Sequence, residues 1–170
     1  MSARHFLLEL FDAALRAVDG RACVERVLRY SGYEGTIAVF AVGKAASAMT
    51  LGALQSFGDM VESALVITKD GHVDPALDGD ARVTVIECAH PLPDSRSLAA
   101  GAELARRVSE LPRSRFPIFL VSGGSSSLVE LLHDGHTLAD LRSLNERGLA
   151  AGWGIATLNA GPRGRVRGTG

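Results

Sequence analysis

With 170 residues, of which 46% are apolar, the chain is one domain of ordinary size with enough apolar material for a core, which excludes global disorder. The 18 basic and 19 acidic residues give a net charge of −1, so the composition provides no basic surface for nucleic acid or an acidic membrane. The longest apolar runs, such as residues 37–42, are too short to span a bilayer, and the first residues lack the uninterrupted apolar region of a signal peptide. Cys23 and Cys88 have no metal-binding spacing, and we expect reduced thiols in a cytoplasmic protein.

Two amphipathic helices begin the chain, over residues 5–18 and 21–30. In the first, the apolar residues recur on one helical face, and Asp19-Gly20 separates it from the second. We expect both helices to pack on a sheet as a lead-in.

Strands and helices then alternate. The patterns predict strands over residues 36–42, 64–68, 83–88 and 118–121, and helices over 45–56, 95–111, 128–132 and 137–151. On the helix over 95–111, an apolar stripe is expected at Leu98, Ala102, Leu104, Ala105 and Val108. This alternation indicates an α/β fold whose sheet is mostly parallel, with right-handed crossovers.

The strand over 118–121 is wholly apolar with no alternation, which predicts burial on both faces of the sheet. It is followed by Ser-Gly-Gly-Ser-Ser-Ser at residues 122–127. A strand, a Gly/Ser turn and a helix N-terminus can bind an anion through backbone N–H groups. The alternative is a tight turn that binds nothing.

The other strand ends also carry polar residues. Lys44 follows the first strand, Lys69 and His72 follow the second, and His90 and Asp94 follow the third. Because open α/β sheets bind ligands at the carboxyl ends of their strands, these residues are candidates for one site. Taken singly, Lys44 has the alternative of a solvated turn residue, Lys69 and His72 are more typical of surface loops, and helix capping explains Asp94 equally well. No metal ligand set is predicted, and no zinc-protease, hydrolase or dinucleotide motif occurs.

Four motifs occur in a fixed order: A-V-G-K-A-A-S-A-M at 41–49, V-I-T-K-D-G-H at 66–72, V-I-E-C-A-H-P-L-P-D at 85–94 and L-V-S-G-G-S-S-S-L at 120–128. In this order they resemble the amino-terminal domain of the class II, or MOFRL-type, glycerate 2-kinases. The resemblance is collinear over about residues 6–160.

The resemblance implies transfer of the γ-phosphoryl group of ATP, with Mg²⁺, to the 2-hydroxyl of D-glycerate. It implies a Rossmann-like, three-layer fold, with a smaller carboxyl-terminal domain that closes the cleft. Lys44 matches the active-site lysine of the family, and residues 90–94 match its H-P-x-P-D motif. The predicted ligand-binding residues are Gly43, Ser122, Gly123, Gly124, Ser125 and Ser126.

Some positions depart from the family pattern. Ser125 stands where the family has a third glycine, which would cost about 1 kcal/mol if that position needs a positive φ. Ala89 replaces a common glycine. Residues 161–170, rich in Gly, Arg and Pro, replace the family continuation, and we expect a disordered tail read out of frame rather than a nucleic-acid-binding arm.

From these departures we expect residues 1–160 to form the amino-terminal domain of a glycerate 2-kinase without its carboxyl-terminal domain. The sheet is then incomplete, with an unprotected edge that favours homodimers or aggregates, and activity is weak or absent. The alternative function is a non-catalytic sugar-phosphate-binding module of the sugar-isomerase type.

Overall fold

In the computed structural model, which describes residues 2–29 and 31–153, four strands form one parallel sheet. The strands are β1 (Thr36–Val42), β2 (Val61–Lys69), β3 (Val83–Cys88) and β4 (Arg115–Val121). Their spatial order is β3-β2-β1-β4. All three pairings are parallel, so the carboxyl ends of all four strands lie at the same edge of the sheet.

Helices cover both faces of this sheet. They are α1 (Ala3–Ala17), α2 (Gly20–Leu28), α3 (Ala46–Phe57), α4 (Ser95–Ser109), α5 (Ser125–Leu128) and α6 (Leu138–Ala150), with 3₁₀ turns at Gly58–Met60 and Pro75–Leu77. The predicted α/β class and parallel sheet are therefore confirmed. None of the helices that the structure describes has both the length and the apolar character needed to cross a membrane.

Strand β1 is the centre of the core. Alternate residues of β1 and β2, such as Val39 and Val66, pack under α3, while Phe40 and Ile67 pack under α4 and α5 on the opposite face. All six residues from Ile37 to Val42 are buried, and so are the five from Ala64 to Thr68 in β2, so these two central strands are buried on both faces. This burial fixes where the chain emerges after Val42.

The prediction that the fourth strand is buried on both faces is wrong. In the described part of the chain, β4 pairs only with β1, and Phe116, Phe119 and Val121 are 49%, 52% and 64% exposed. An apolar run indicates a strand but does not say what lies beside it. Phe119 still stacks on the buried Phe40, with ring centroids 5.2 Å apart.

Only one of the two lead-in helices packs as predicted. Helix α2 lies against α3, where a Cβ on Gly52 would come within 2.6 Å of the carbonyl oxygen of Arg21. Val24 of α2 joins the core under α3. Helix α1 has no buried residue, and it exposes the apolar face that the sequence predicts: Phe6, Leu7, Leu10, Phe11, Ala14 and Val18.

Two further helices differ from the predictions, one in its buried face and one in its bounds. Helix α4 does not bury the expected stripe: Ala102, Ala105 and Val108 are exposed, and its buried residues are Ser97, Ala100 and Gly101. The small residues allow close packing, because a Cβ on Gly101 would lie 2.8 Å from the carbonyl carbon of Glu130. The helix expected at 128–132 is instead α5, which begins directly after the glycines. The predicted disordered tail at 161–170 lies outside the described residues.

The contrast between α1 and α2 gives a matched pair of substitutions. Val24→Ala is expected to lower the free energy of unfolding by about 2 kcal/mol, through lost burial and a small cavity. Phe11 is 59% exposed, so Phe11→Ala is expected to change it by less than about 0.5 kcal/mol. Urea denaturation of both variants measures the difference. A cost for Phe11→Ala equal to that for Val24→Ala would show that α1 is packed in solution.

Candidate functional site

The site is built where β1 and β4 end side by side. The N–H of Ser122 donates to the carbonyl of Val42 at 2.9 Å, and the N–H of Lys44 donates to the carbonyl of Gly123 at 3.0 Å. The hydroxyl of Ser122 also accepts from the N–H of Ala45, at 3.0 Å, directly before α3. Gly43 has a φ of 123°, and an added Cβ would lie 2.6 Å from the carbonyl oxygen of Ser122. The contacts of Gly43 and Ser122 therefore hold the two strand exits together.

Lys44 and His90 meet at Gly124. A Cβ on Gly124 would lie 3.0 Å from Nε2 of His90 and 3.1 Å from Cε of Lys44. Gly124 also has a φ of 91°, so a glycine is required here for two reasons. Lys44 is exposed and His90 is partly buried, so the two side chains border an accessible surface next to the glycine-rich loop.

The loop itself presents backbone donors. Among the hydrogen bonds of the described residues, none uses the N–H of Gly123, Gly124, Ser125 or Ser126. Ser125 is the first residue of α5, and every residue with a positive φ in the described part of the chain is a glycine. The strain that was expected if Ser125 needed a positive φ is therefore absent. Ser127, which is buried, hydrogen-bonds back to the carbonyl of Gly124.

The loops after β2 and β3 bring more positive charge to this edge. Partial burial lowers the pKa of His90, and the positive charges of Lys44, Lys69 and His72 lower it further. Nδ1 of His72 lies 3.4 Å from the carbonyl oxygen of Lys44. Lys44, Lys69, His72 and His90 thus form one basic cluster, as the sequence predicts. Such a cluster favours an anionic ligand.

The carboxylate of Asp94 is already occupied by contacts within the protein. It caps α4 by accepting from the N–H groups of Arg96 and Ser97, at 3.0 and 3.3 Å. The guanidinium of Arg96 binds Asp94 at 2.7 Å and Asp70 at 2.5 and 2.8 Å. The hydrogen bond from Arg96 holds the pKa of Asp70 below its ordinary value. For Asp94, burial raises the pKa, but the hydrogen bonds of Arg96 and Ser97 outweigh it, and the net shift is downward.

Arg96 is the residue in this region that sequence reasoning missed. It ties the loop after β2, which carries His72, to the start of α4. Its partner Asp70 is 26 residues away in sequence, so neither spacing nor motif indicates the contact.

The described residues do not fit a magnesium site. Mg²⁺ is bound by oxygen ligands, usually one or two carboxylates together with substrate phosphates. Asp70 and Asp94, in the loops after β2 and β3, are both paired with Arg96, and Asp74 already accepts from the N–H of Ala76. Within residues 2–29 and 31–153, no group of three or more His, Cys, Asp or Glu side chains is arranged to hold a metal.

Comparison with known proteins gives relatives that carry two different names. Residues 6–161 match the family described as a domain of unknown function, DUF4147. The chain is 33% identical over 159 residues to a putative hydroxypyruvate reductase of Agrobacterium vitis, covering 94% of this chain and 35% of that protein. It is 30% identical over 158 residues to the D-glycerate 2-kinase of Thermotoga maritima, covering 93% of this chain and 37% of that protein.

Two solved structures share the fold. The crystal structure of the Thermotoga maritima glycerate kinase superimposes with a TM-score of 0.77 at 30% identity, over 90% of this chain and 36% of that one. A Pyrococcus horikoshii protein gives a TM-score of 0.70 at 27% identity, over 94% of this chain and 38% of that one. The chain therefore spans little more than a third of the length of these relatives.

Gly124→Ala tests the junction of Lys44 and His90. The positive φ alone is expected to cost about 1 kcal/mol or more of stability, and the added Cβ pushes the two side chains apart. Gly123→Ala is the control, because its Cβ meets nothing within 4 Å. Urea denaturation should separate the two variants. Equal stability would show that the loop has another conformation in solution.

His90 should titrate below the ordinary histidine value of 6.5, as followed by its NMR ring signals. The unfolded chain then binds more protons in this range, so stability rises with pH and is lost as pH falls below about 6.5. His90→Gln is expected to flatten this part of the pH profile. Sulfate bound to the basic cluster should raise the pKa of His90. A pKa at or above 6.5 without anion would contradict the described surroundings.

Proposed function

We propose, because the chain belongs to the DUF4147 family, that it supplies the α/β domain of a D-glycerate 2-kinase, with the site at the carboxyl edge of its sheet. The observation that carries the proposal is the meeting of Lys44 and His90 at Gly124, next to a loop with four backbone N–H donors. A kinase that acts on glycerate binds two anionic groups, the substrate carboxylate and the transferred phosphoryl group. A basic cluster beside backbone N–H donors can bind both, because each carries negative charge on oxygen atoms.

In the proposed reaction, the 2-hydroxyl oxygen of D-glycerate forms a bond to the γ-phosphorus of ATP, and the bond between that phosphorus and the β-bridging oxygen breaks. Lys44 stabilises the negative charge on the phosphoryl oxygens, aided by the N–H groups of residues 123–126. Nε2 of His90 faces Gly124 and takes the hydroxyl proton, because a lowered pKa leaves His90 neutral at physiological pH.

The use of ATP is supported by the relatives that are named as kinases, and Mg²⁺ is an expectation from the motif resemblance. Asp70 and Asp94 are engaged by Arg96, so these two carboxylates give no reason to place a magnesium ion on them. We assign no step to the metal. The part of the relatives that this chain does not span is where further ligands for Mg²⁺ and ATP are to be sought.

A non-catalytic sugar-phosphate-binding module remains the alternative. Such a module uses a Ser/Gly loop after a strand to hold phosphate, and it has no need for a lysine at the end of the neighbouring strand. Lys44 lies against the loop at Gly124. The position of Lys44 therefore favours the kinase.

Calorimetry on the purified chain separates the two functions. We expect D-glycerate to bind more tightly than fructose 6-phosphate, and Lys44→Ala to weaken D-glycerate at least about tenfold, since a charged hydrogen bond is lost. Arg113→Ala is the control, because Arg113 is an exposed cation before β4 and lies away from the site. Tighter binding of fructose 6-phosphate would contradict the kinase proposal.

Turnover is followed as 2-phosphoglycerate formed from ATP, Mg²⁺ and D-glycerate. We expect little product from this chain alone, because a cleft closed by two domains is needed to exclude water. Any turnover should fall at least about 100-fold in Lys44→Ala, the scale of one strong transition-state contact. Lys44→Arg should not restore it, since a planar guanidinium replaces a compact ammonium.

A further inference from the structure

Lys44 borders a second feature besides Gly124. A cleft of about 350 Å³ is lined by Lys44, by Ser47 and Ala48 in the first turn of α3, and by residues 71–75 after β2. None of the motif residues named as ligand-binding from the sequence lies on the α3 side of this cleft. The volume is at the lower end of ligand pockets, which suits a small acid rather than a nucleotide.

Ser47 is the unusual residue of this cleft. Its side chain is 3% exposed, and its hydroxyl has no hydrogen-bond partner among the described residues. Buried hydroxyl groups are nearly always hydrogen-bonded, since an unpaired one costs free energy. A buried, unpaired hydroxyl in the wall of a cleft therefore points to a polar ligand.

The backbone at the start of α3 has the same property. The N–H of Ala45 donates to Ser122 and the N–H of Ala46 donates to the carbonyl of Gly43, at 3.1 Å. In the described part of the chain, the N–H groups of Ser47 and Ala48 donate to no acceptor. The N-cap residue is Ala45, whose side chain has no oxygen to accept from them. Two donors at the positive end of a 12-residue helix therefore line the cleft.

The charges around the cleft favour an anion. Lys44 and His72 line it, together with one carboxylate, Asp74. An oxygen of Asp74 already accepts from the N–H of Ala76, at 2.9 Å. The cleft thus offers one hydroxyl, two backbone N–H groups and a lysine to a ligand with few oxygens.

We infer that this cleft binds the carboxylate of a small 2-hydroxy acid, held by the hydroxyl of Ser47 and the N–H groups of Ser47 and Ala48. This assignment rests on the proposed function and gives the substrate an orientation. With its carboxylate at Ser47, the acid has its 2-hydroxyl near Lys44, which also borders Gly124 and His90. The N–H groups of residues 123–126 then bind the phosphoryl group.

Calorimetry on the full chain tests the inference with four probes. D-glycerate and D-lactate carry the carboxylate and the 2-hydroxyl, whereas glycerol lacks the carboxylate. Sodium phosphate represents the phosphoryl group. Ser47→Ala should weaken both acids at least about tenfold, as expected for a lost hydrogen bond to a charged group, and change phosphate binding less than twofold. Ser56→Ala is the matched control, because that hydroxyl lies in the last turn of α3 and donates to the carbonyl of Gly52.

A second variant distinguishes a loss of acid binding from a loss of folding. Ser47→Cys keeps a small neutral side chain at this buried position, but its thiol is a much weaker hydrogen-bond donor than the hydroxyl. We expect this variant to lose acid binding while its thermal midpoint stays at or above that of Ser47→Ala. Unchanged binding of both acids in Ser47→Ala would overturn the inference and leave the kinase proposal intact.

The remaining outcomes are also decisive. Loss of phosphate binding in Ser47→Ala, with the acids unaffected, would overturn the carboxylate assignment. Binding of D-lactate that depends on Ser47, without any binding of D-glycerate, would support the carboxylate cleft and contradict the glycerate kinase. Equal binding of glycerol and D-glycerate would overturn the inference, because the cleft would then recognise hydroxyl groups alone.

Discussion

The close contact between Gly43 and Ser122 is the constraint on which the site depends. It allows the exits of β1 and β4 to exchange hydrogen bonds beyond the last sheet pair, between Lys44 and Gly123 and between Ser122 and Val42. The hydroxyl of Ser122 then sets the start of α3 through Ala45. A single junction therefore positions the lysine, the glycine-rich loop and the helix N-terminus relative to one another, and a side chain at position 43 would separate all three.

The outer strand exits are held by charge in addition to a backbone hydrogen bond from the N–H of Asp70 to the carbonyl of Cys88, at 3.1 Å. Arg96 pairs with Asp70 and Asp94, which are acidic groups of the loops that follow β2 and β3. The cluster of Lys44, Lys69, His72 and His90 consequently keeps an excess of positive charge. Burial is the largest cause of the lowered pKa of His90, and this positive charge is the second. The same arginine engages two carboxylates of these loops, which leaves them less able to bind a metal ion.

Local patterns in the sequence predicted much of this arrangement. The first strand at 36–42, the polar residues after the strands and the cap at Asp94 all depend on neighbours in the chain, and the structure contains all three. The exposure of β4 and α1 could not be predicted, because an apolar face does not identify what covers it. Arg96 and Ser47 were missed because their importance comes from residues that are distant in sequence or from a hydroxyl without a partner. The motif resemblance predicted the family but did not predict the orientation of a substrate.

The strand order has a consequence for how substrate specificity can change. The helix after β1 covers one face of the sheet, and the helix after β3 covers the other. The chain connections therefore run to opposite faces on either side of the gap between β1 and β4. This is the topological switch point, where open α/β sheets have a crevice whatever side chains are present. The crevice is thus a property of chain topology, and the residues around it, such as Ser47 and His90, supply the chemical groups along its walls. New substrates can therefore be accommodated by exchanging a few side chains at this edge, while the sheet and its junction stay as they are.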